Sequence, residues 1–298
     1  MRVFVTGATG FVGTAIVAEL RGAGHQVLGL ARSEAAAATL RAAGAEVHRG
    51  SLEEPARLAA GAADAEGVIH AGFIHDFSRF EENCAIDRAA ILAMGAVLAG
   101  TGRPLIVTSG TLLVGPGRLV LESDAGPSGP GVIPRIASEH AVAALAGQGV
   151  RAMVLRLPPS VHGAGDHGFV PHLIALAREK GVAAFIGDGM NRWPGVHRAD
   201  AARLYRLALE RGEAGARYHG VAEEGVPFRA IAERIASHLG LPQRGLTAAE
   251  AVAHFGWIAP FVAIDGPASS AQTRAALGWT PTGPGLLSDM AGAGYFPA

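Results

Sequence analysis

Three glycines near the amino terminus have the spacing of a loop that binds phosphate. They lie in the segment 6–13 (TGATGFVG), directly after a β-branched run and before a stretch with helical periodicity. Gly7 allows a tight turn, Gly10 lets the backbone approach a pyrophosphate, and Gly13 permits close packing of a helix on a strand. A helix that begins here points unpaired N–H groups at the phosphates. The segment therefore predicts a dinucleotide-binding site.

The residues after the second β-branched run discriminate between the two nicotinamide cofactors. An acidic residue at this place would accept hydrogen bonds from the ribose hydroxyls of NAD. The chain has Arg32 and Ser33 instead, and a guanidinium pairs with a 2′-phosphate through its planar fork. The sequence therefore favours NADP, and NAD stays an alternative because Glu34 follows directly.

A redox reaction at a carbonyl also needs a group that gives or takes a proton at the oxygen. Ser109 and Thr111 follow the fifth β-branched run and are candidate hydroxyls, although they could equally cap the end of a strand. Histidine is the second class of donor, because its ordinary pKa lies near neutrality. We assign His162 to catalysis and expect His75 and His167, which also lie in loops, to contact the substrate.

The elements that must position these residues follow an alternating pattern. Short β-branched runs alternate with Ala- and Leu-rich helical stretches, which is typical of a parallel sheet covered on both faces. The predicted strands are Arg2–Thr6, Gln26–Ala31, Glu46–His48, Gly67–His70, Pro104–Thr108 and Arg151–Leu157. We therefore expect an α/β Rossmann fold, with a doubly wound parallel sheet in residues 1–158. Residues 159–298 are expected to form a smaller C-terminal substrate lobe, with 196–212 packing back on the Rossmann domain.

Composition excludes several other classes of function. The 298 residues are 49% hydrophobic and 17% charged, which provides enough apolar surface for a folded core. With 25 Lys plus Arg against 26 Asp plus Glu and no charge runs, we expect no nucleic-acid partner. No apolar run reaches the roughly 20 residues of a membrane span. One cysteine, Cys84, and no His-x-x-x-His pair argue against a metal site and suit a cytoplasmic protein.

Five further segments carry motifs of a known family. They are 68–72 (VIHAG), 107–111 (VTSGT), 155–163 (LRLPPSVHG), 196–200 (VHRAD) and 277–281 (LGWTP). Together with 6–13, they resemble the extended, epimerase/dehydratase-like branch of the short-chain dehydrogenase/reductase superfamily over nearly the whole chain. The resemblance implies a bound NAD(P), a substrate cleft between two lobes, and a homodimer formed through the helices after strands four and five.

The glycine loop, the cofactor-selecting residues and the resemblance together define the expected cofactor contacts. These are Gly7, Thr9, Gly10, Phe11, Val12, Gly13, Arg32, Ser33, Ser51, Leu52, His70, Ala71, Gly72, Thr108, Pro158 and Val161. Ser51 stands where the family usually has an Asp that recognises adenine, which weakens that contact without removing the site.

The chain departs from the family at the catalytic pair itself. Members of the family carry a Tyr and, four residues later, a Lys at the start of the helix after strand five. Here Arg135 and Glu139 stand at those positions. Arginine is effectively always protonated, so Arg135 can anchor an anion or a carbonyl but is a poor proton donor. We therefore expect an atypical active site with a substituted proton donor.

The substrate is expected to be fairly apolar. Phe73 and Phe77 lie at helical spacing in a loop-rich stretch, and pockets for small molecules are mainly apolar with a few orienting polar groups. Trp193 occupies the place of a diphosphate-binding Arg in nucleotide-sugar epimerases, which disfavours such a substrate, although Arg192 could partly compensate. Arg192 and Trp193 are included among the expected substrate contacts, together with Phe73 and Phe77.

These residues lead to three functional hypotheses. The first is an NADPH-preferring oxidoreductase acting on a small to medium carbonyl or alcohol. The second is a non-redox NAD(P)-binding regulatory protein, for which loss of the Tyr and Lys would be expected. The third is an epimerase, isomerase or dehydratase that uses the nicotinamide transiently.

Overall fold

The computed structural model describes residues 1–292 and 294–296. Its strands are β1 (Arg2–Thr6), β2 (Gln26–Ala31), β3 (Glu46–Arg49), β4 (Gly67–His70), β5 (Pro104–Gly110), β6 (Arg151–Leu157), β7 (Ser160–His162), β8 (Ala183–Ile186), β9 (Arg192–His197), β10 (Arg217–His219), β11 (Glu223–Pro227) and β12 (Gln243–Leu246). Its α-helices are α1 (Phe11–Gly22), α2 (Glu34–Ala42), α3 (Pro55–Ala63), α4 (Phe80–Leu98), α5 (Ala137–Gly147), α6 (Phe169–Lys180), α7 (Arg198–Arg211), α8 (Phe228–Leu239), α9 (Ala248–Phe255), α10 (Ala259–Val262), α11 (Ala271–Leu277) and α12 (Leu286–Gly292).

A seven-stranded parallel sheet with the order β10-β6-β5-β4-β1-β2-β3 forms the centre of the first lobe. Alternate residues of β1 point to the two opposite faces of the sheet. Val3 and Val5 pack with α1, α2 and α7, whereas Phe4 packs with α3, α4 and α5. Because helices cover both faces, the inner strands β1, β2, β4 and β5 are mainly apolar rather than alternately polar. The predicted α/β Rossmann fold is confirmed.

The order of the strands reverses between β1 and β4, and this reversal locates the site. In sheets of this kind, ligands bind outside the carboxyl ends of the strands at such a switch point. The loops that follow β1, β4 and β5 therefore converge there. They carry the glycine segment, the Ala71–Arg79 stretch and the hydroxyls after Thr108.

The second lobe has its own core. Strands β11, β9 and β7 form one small sheet, and β12 and β8 form another. Helices α6, α8, α9 and α12 enclose a cluster centred on Trp193 and Phe228, whose rings meet edge to face at 5.0 Å. The sequence pattern did not predict these strands, because runs of three to six residues are too short to show a period.

The chain returns to the first lobe after residue 158. Helix α7 packs on α1, and β10 adds a parallel strand beside β6. Leu277 and Trp279 then join the same core. The chain therefore returns twice from the second lobe to the Rossmann domain, first through α7 and β10 and then through Leu277 and Trp279. Residues from both lobes meet at the carboxyl edge of the Rossmann sheet.

Candidate functional site

The glycine loop has the shape that a pyrophosphate requires. Gly7 adopts a φ of +66°, and a Cβ there would lie 2.7 Å from the backbone of Gly72. A Cβ at Gly13 would lie 1.9 Å from the carbonyl oxygen of Gly7. Gly10 caps α1 without a side-chain hydrogen bond, so the first N–H groups of the helix face the loop. Since a side chain would fill this cradle at either glycine, the residues present fit a dinucleotide.

Gly13→Ala is expected to lower the free energy of unfolding by about 1–3 kcal/mol, because the added methyl must push the backbone of Gly7 aside. The matched control is Gly22→Ala at the other end of α1, where an added Cβ meets nothing within 4 Å. That change should be neutral or stabilising by up to about 1 kcal/mol. Urea unfolding of the two variants makes the comparison, and equal stabilities would contradict the packing argument.

Basic side chains surround the end of β2. Arg32 is exposed, and within the described residues its side chain has no hydrogen bond or ion pair. Glu34 instead pairs with Arg41 (2.7 Å) and with Arg49. Hydrogen bonds from these two arginines hold the pKa of Glu34 below its usual value. The hydroxyl of Ser33 accepts the N–H of Ala36 (3.2 Å) and so caps α2.

Residues expected near adenine lie beside the glycine loop. Leu52 is half-buried, and a Cβ added to Gly72 would lie 3.3 Å from one of its methyl groups. The backbone N–H of Ser51 donates to Glu54 (2.8 Å), which orders this turn. Pro158 is buried after β6, and Val161 pairs with Val196 in the second lobe. Pro158 and Val161 thus mark the start of the lobe crossing.

His70 forms a buried polar chain beneath the glycine loop. Its Nδ1 lies 2.8 Å from the hydroxyl of Thr6, and its Nε2 lies 3.0 Å from Asp87. Burial raises the pKa of Asp87, but hydrogen bonds from His70 and Ser138 and the charge of Arg135 outweigh this, and the net pKa is lowered. The ionised carboxylate therefore assigns the proton of His70 to Nε2. Both ring nitrogens are used within the protein, so His70 supports the loop from below.

Arg135 lies at the carboxyl edge of β4 and β5. One terminal nitrogen donates to Asp87 (2.9 Å) and to Ser138, and the other donates to the carbonyl of Thr108 (2.9 Å). The guanidinium also lies 4.4 Å from the ring centroid of Phe73. A guanidinium has five N–H bonds, so Nε–H and a further terminal N–H are left for a ligand. The guanidinium of Arg135 is thus held in place by Asp87, Ser138 and Thr108.

Glu139 belongs to a different, internal network. Arg156, which is 0% exposed, donates to both of its carboxylate oxygens at 2.9 and 2.7 Å. Ser109 donates to the same carboxylate at 2.6 Å. Burial raises the pKa of Glu139, but the bonds from Arg156 and Ser109 outweigh it, and the pKa lies below its usual value. Ser109, predicted as catalytic, therefore serves this buried pair.

The neighbouring hydroxyls are also enclosed. Thr108 donates to the carbonyl of His70 (2.9 Å), so the hydroxyl of Tyr205, 2.6 Å away, donates to Thr108. Burial raises the pKa of Tyr205, which keeps this hydroxyl protonated. Thr111 is 1% exposed, and its hydroxyl has no partner among the described residues. These hydroxyls therefore lie under the surface of the cleft.

The structure separates the three histidines that the sequence grouped as functional candidates. His162 is fully buried, with Nδ1 2.7 Å from Asp289 of α12. Burial keeps its ring away from any ligand in the cleft, which is at odds with the expected role as proton donor. His167 is exposed, and its ring lies 5.8 Å from that of Phe11 at the start of α1.

His75 lies where the two lobes converge. Its ring packs edge to face against Phe73 at 5.3 Å, and Phe73 in turn carries the guanidinium of Arg135. Burial by the surrounding protein, and then the charges of Arg135 and His167, lower the pKa of His75 below its usual value. His75 and Arg135 thus share a contact with Phe73, whereas His167 lies against Phe11 at the start of α1. Of the titratable groups described, His75 best combines an exposed ring with a position next to Arg135.

Aromatic side chains form the outer part of the cleft. Phe77 of the first lobe stacks on Trp257 of the second with centroids 5.1 Å apart. Trp193, by contrast, is fully buried and donates its N–H to the carbonyl of Phe261 (3.2 Å). Arg192 is held by two hydrogen bonds to Asp265, at 2.9 and 2.8 Å. Neither Trp193 nor Arg192 is thus free to extend into the cleft as a diphosphate ligand would require.

Sequence reasoning missed two contributors to the site. Arg198 places its guanidinium 5.1 Å from the ring centroid of Phe11 and donates to the carbonyl of Ala164 (2.9 Å), which links the glycine loop to the second lobe. Tyr295 donates to Asp166 at 2.7 Å. The segment VHRAD, quoted above for the family, contains Arg198, but its contact with α1 depends on folding.

The described residues lack two features, a membrane-spanning helix and a metal-binding cluster. Within residues 1–292 and 294–296, no helix is both long and apolar enough to cross a membrane. The same residues contain no group of three or more His, Cys, Asp or Glu side chains arranged to hold a metal ion.

Comparison with known proteins finds one matching family model and several relatives of similar length. The model of the NAD dependent epimerase/dehydratase family matches residues 3–221. An uncharacterized protein of Schizosaccharomyces pombe is 52% identical over 297 residues, which is 99% of this chain and 100% of that protein. A 2-alkyl-3-oxoalkanoate reductase of Stenotrophomonas maltophilia is 28% identical over 260 residues, covering 82% of this chain and 77% of the reductase.

A solved structure shares the fold over nearly its full length. It is a dTDP-glucose 4,6-dehydratase from Streptomyces venezuelae with NAD and TYD bound, with a TM-score of 0.76 at 19% identity. The similarity covers 98% of this chain and 96% of the dehydratase.

Proposed function

The chain belongs to the NAD dependent epimerase/dehydratase family, and on that basis we propose that it is an NADPH-preferring oxidoreductase acting on a small to medium-sized carbonyl or alcohol. The observation that carries the proposal is that His75 and Arg135 both pack against Phe73, at the carboxyl edge of the sheet. The relative described as a reductase supports the same class of reaction.

Residues of the first lobe would hold the cofactor. The N-terminus of α1 and the backbone of Gly7 to Gly13 fit the pyrophosphate. Arg32 is exposed and available for a 2′-phosphate, whereas Glu34 is neutralised by Arg41 and Arg49. The local charge is therefore basic, which favours NADP over NAD. When bound, the dihydronicotinamide supplies the hydride.

Two residues of the chain, Arg135 and His75, would act on the carbonyl oxygen of the substrate. Arg135 donates N–H bonds to the carbonyl oxygen and stabilises the negative charge that grows there as the carbon receives the hydride. His75 then gives its proton to that oxygen, so that the products are the alcohol and neutral imidazole. In the reverse direction, neutral His75 takes the hydroxyl proton. Asp87 and the carbonyl of Thr108 keep Arg135 in position for both.

One observation favours a second candidate function. Several of the N–H bonds of Arg135 are already committed to Asp87, Ser138 and Thr108. A protein that only senses the cofactor would need such a fixed network and no proton donor. A non-redox NAD(P)-binding regulator is therefore the alternative, and an isomerase or dehydratase that uses the nicotinamide transiently would also keep the cofactor site.

Titration of NADPH and NADH by cofactor fluorescence, followed by a panel of aldehydes and ketones monitored at the nicotinamide absorbance, tests the proposal. We expect tighter binding of NADPH than of NADH, and oxidation of NADPH with at least some members of the panel. Binding without consumption across the panel would favour the regulator or the transient-redox enzyme. Failure to bind either cofactor would contradict the interpretation of the glycine loop.

A further inference from the structure

An apolar cavity lies on the second lobe and is lined in part by Trp257, which also belongs to the aromatic outer part of the cleft. Its volume is about 320 Å³. It is lined by Ile186, Ala248, Ala251, Val252, Gly256, Trp257, Ala259, Pro260 and Ala263. Apart from the indole N–H of Trp257, none of these side chains carries a charge or a hydrogen-bonding group. We call this set of residues the tail groove. Val252 is 66% exposed, which leaves apolar surface in contact with solvent on the isolated chain.

Trp257 is shared between the tail groove and the cleft. It lines the groove, and its ring also meets His172 at 5.4 Å and Phe169 at 6.3 Å. Although it contacts several rings, Trp257 is 51% exposed. Its stacking partner Phe77 is 41% exposed and belongs to the other lobe. These two exposed rings thus touch each other at the boundary between the lobes.

The contacts continue from this boundary to the reactive edge of the sheet. Phe77 lies 6.3 Å from the ring of His75 and 5.8 Å from Phe80. His75 and Phe80 both meet Phe73, which lies under the guanidinium of Arg135. A series of aromatic contacts therefore runs from Phe73, beside Arg135, through Phe77 to Trp257, which lines the tail groove.

We propose that the substrate carries an unbranched aliphatic tail, which lies in the tail groove while its carbonyl group is held by Arg135 and His75. This inference rests on the proposed oxidoreductase function and specifies its substrate class. Apart from Trp257, the lining is built from small or aliphatic residues, so it matches a narrow hydrocarbon chain. The volume falls at the lower end of the range for small-molecule pockets.

Kinetics with methyl ketones of increasing length, from butanone to undecanone, at saturating NADPH measure occupancy of the groove. We expect kcat/KM to rise about three- to fourfold for each added methylene until the groove is filled, because each buried methylene gains the free energy of leaving water. A flat series, with short ketones reduced as well as long ones, would overturn the inference and leave the proposed function standing.

Val252→Asp places a charge in the groove at an exposed position of α9. It should flatten the dependence on chain length while leaving kcat/KM for butanone unchanged. Ala253→Asp is the matched control, because Ala253 is exposed on the same helix but does not line the groove. If Val252→Asp instead shifts the oligomeric state in size-exclusion chromatography and leaves the chain-length series intact, a second copy of the chain covers the groove and the inference fails.

A binding measurement separates this inference from the proposed function. A terminally brominated undecanone should quench the fluorescence of Trp257, since Trp193 and Trp279 are 0% and 1% exposed. The quenching should disappear in Trp257→Phe. Quenching without any reduction of ketones would support the tail groove and contradict the proposed oxidoreductase. No quenching with the wild-type protein would contradict the tail groove whatever the activity.

Discussion

Replacement of His75 by Gln is expected to lower kcat for carbonyl reduction by about a hundredfold or more, while the affinity for NADPH stays within about twofold of wild type. A positioned acid typically contributes 10²–10⁴ in rate, and glutamine keeps the approximate size of the ring but has no proton to give. His75 packs on Phe73 beside Arg135 rather than against the glycine loop, so the cofactor should still bind.

The pH dependence gives this prediction a readout that a structural role would not reproduce. The pKa of His75 is lowered by burial and then by the positive charges of Arg135, which lies just before α5, and of His167, which lies in the loop after β7. Reduction needs the protonated ring, so kcat should fall as the pH rises through this lowered pKa. Alcohol oxidation needs the neutral ring and should rise over the same interval. Both limbs should vanish in His75→Gln.

His140→Gln is the matched control, because His140 is an exposed histidine of α5 that bonds Ser128. This variant should keep the wild-type kcat and pH profile. Steady-state kinetics between about pH 5 and 9 make the comparison. If His75→Gln retained both the rate and the pH limb, the proton donor would have to be sought elsewhere in the chain.

Arg32→Glu is expected to weaken NADPH by about 10- to 100-fold and to leave NADH unchanged or improved. A charge-assisted hydrogen bond contributes about 1.5–3 kcal/mol, and the new carboxylate would also repel a 2′-phosphate. The wild-type side chain is exposed and unpaired within the described residues, so its removal breaks no internal contact that could disturb the fold. The dissociation constants of both cofactors, measured by fluorescence titration, give the ratio directly.

Arg88→Glu controls for the change in net charge, since Arg88 is an exposed residue of α4. It should leave the ratio of NADPH to NADH affinity at the wild-type value. An unchanged ratio in Arg32→Glu would show that the 2′-phosphate is bound by other groups or that the protein does not discriminate. In that case Arg49, which lies on β3 and pairs with Glu34, would be the next arginine to replace.

Arg135 and Glu139, which stand where the family resemblance leads us to expect a Tyr and a Lys, each have a charged partner in the structure. Arg135 is balanced by Asp87, and Glu139 is balanced by Arg156, so each new charge has a partner in the interior. Unpaired buried charges would cost several kcal/mol, so each substitution requires its partner. The two positions have also parted in function, since Arg135 faces the cleft whereas Glu139 orders the region behind it.

Local pattern predicted six of the seven strands of the Rossmann sheet, but not β10, which pairs with β6 from later in the chain. The strands of the Rossmann sheet are buried on both faces and are separated by helices, so their apolar runs stand out in the sequence. Gly7 and Gly13 constrain the backbone by themselves, because a Cβ at either position would collide with neighbouring backbone atoms. Fold class and the place of the cofactor loop therefore follow from neighbours along the chain.

Tertiary structure alone showed which candidate side chains are buried and which are exposed. His162 and His75 both lie in loop-rich stretches, yet one is buried against Asp289 and the other stays exposed beside Arg135. Ser109 and Trp193 likewise looked reactive or ligand-facing, but folding places both in interior contacts. Burial depends on groups that are distant in the chain, such as Asp289, which lies 127 positions after His162. The sequence by itself thus determined the scaffold and its glycine cradle, whereas only long-range packing decided which basic groups converge in the cleft.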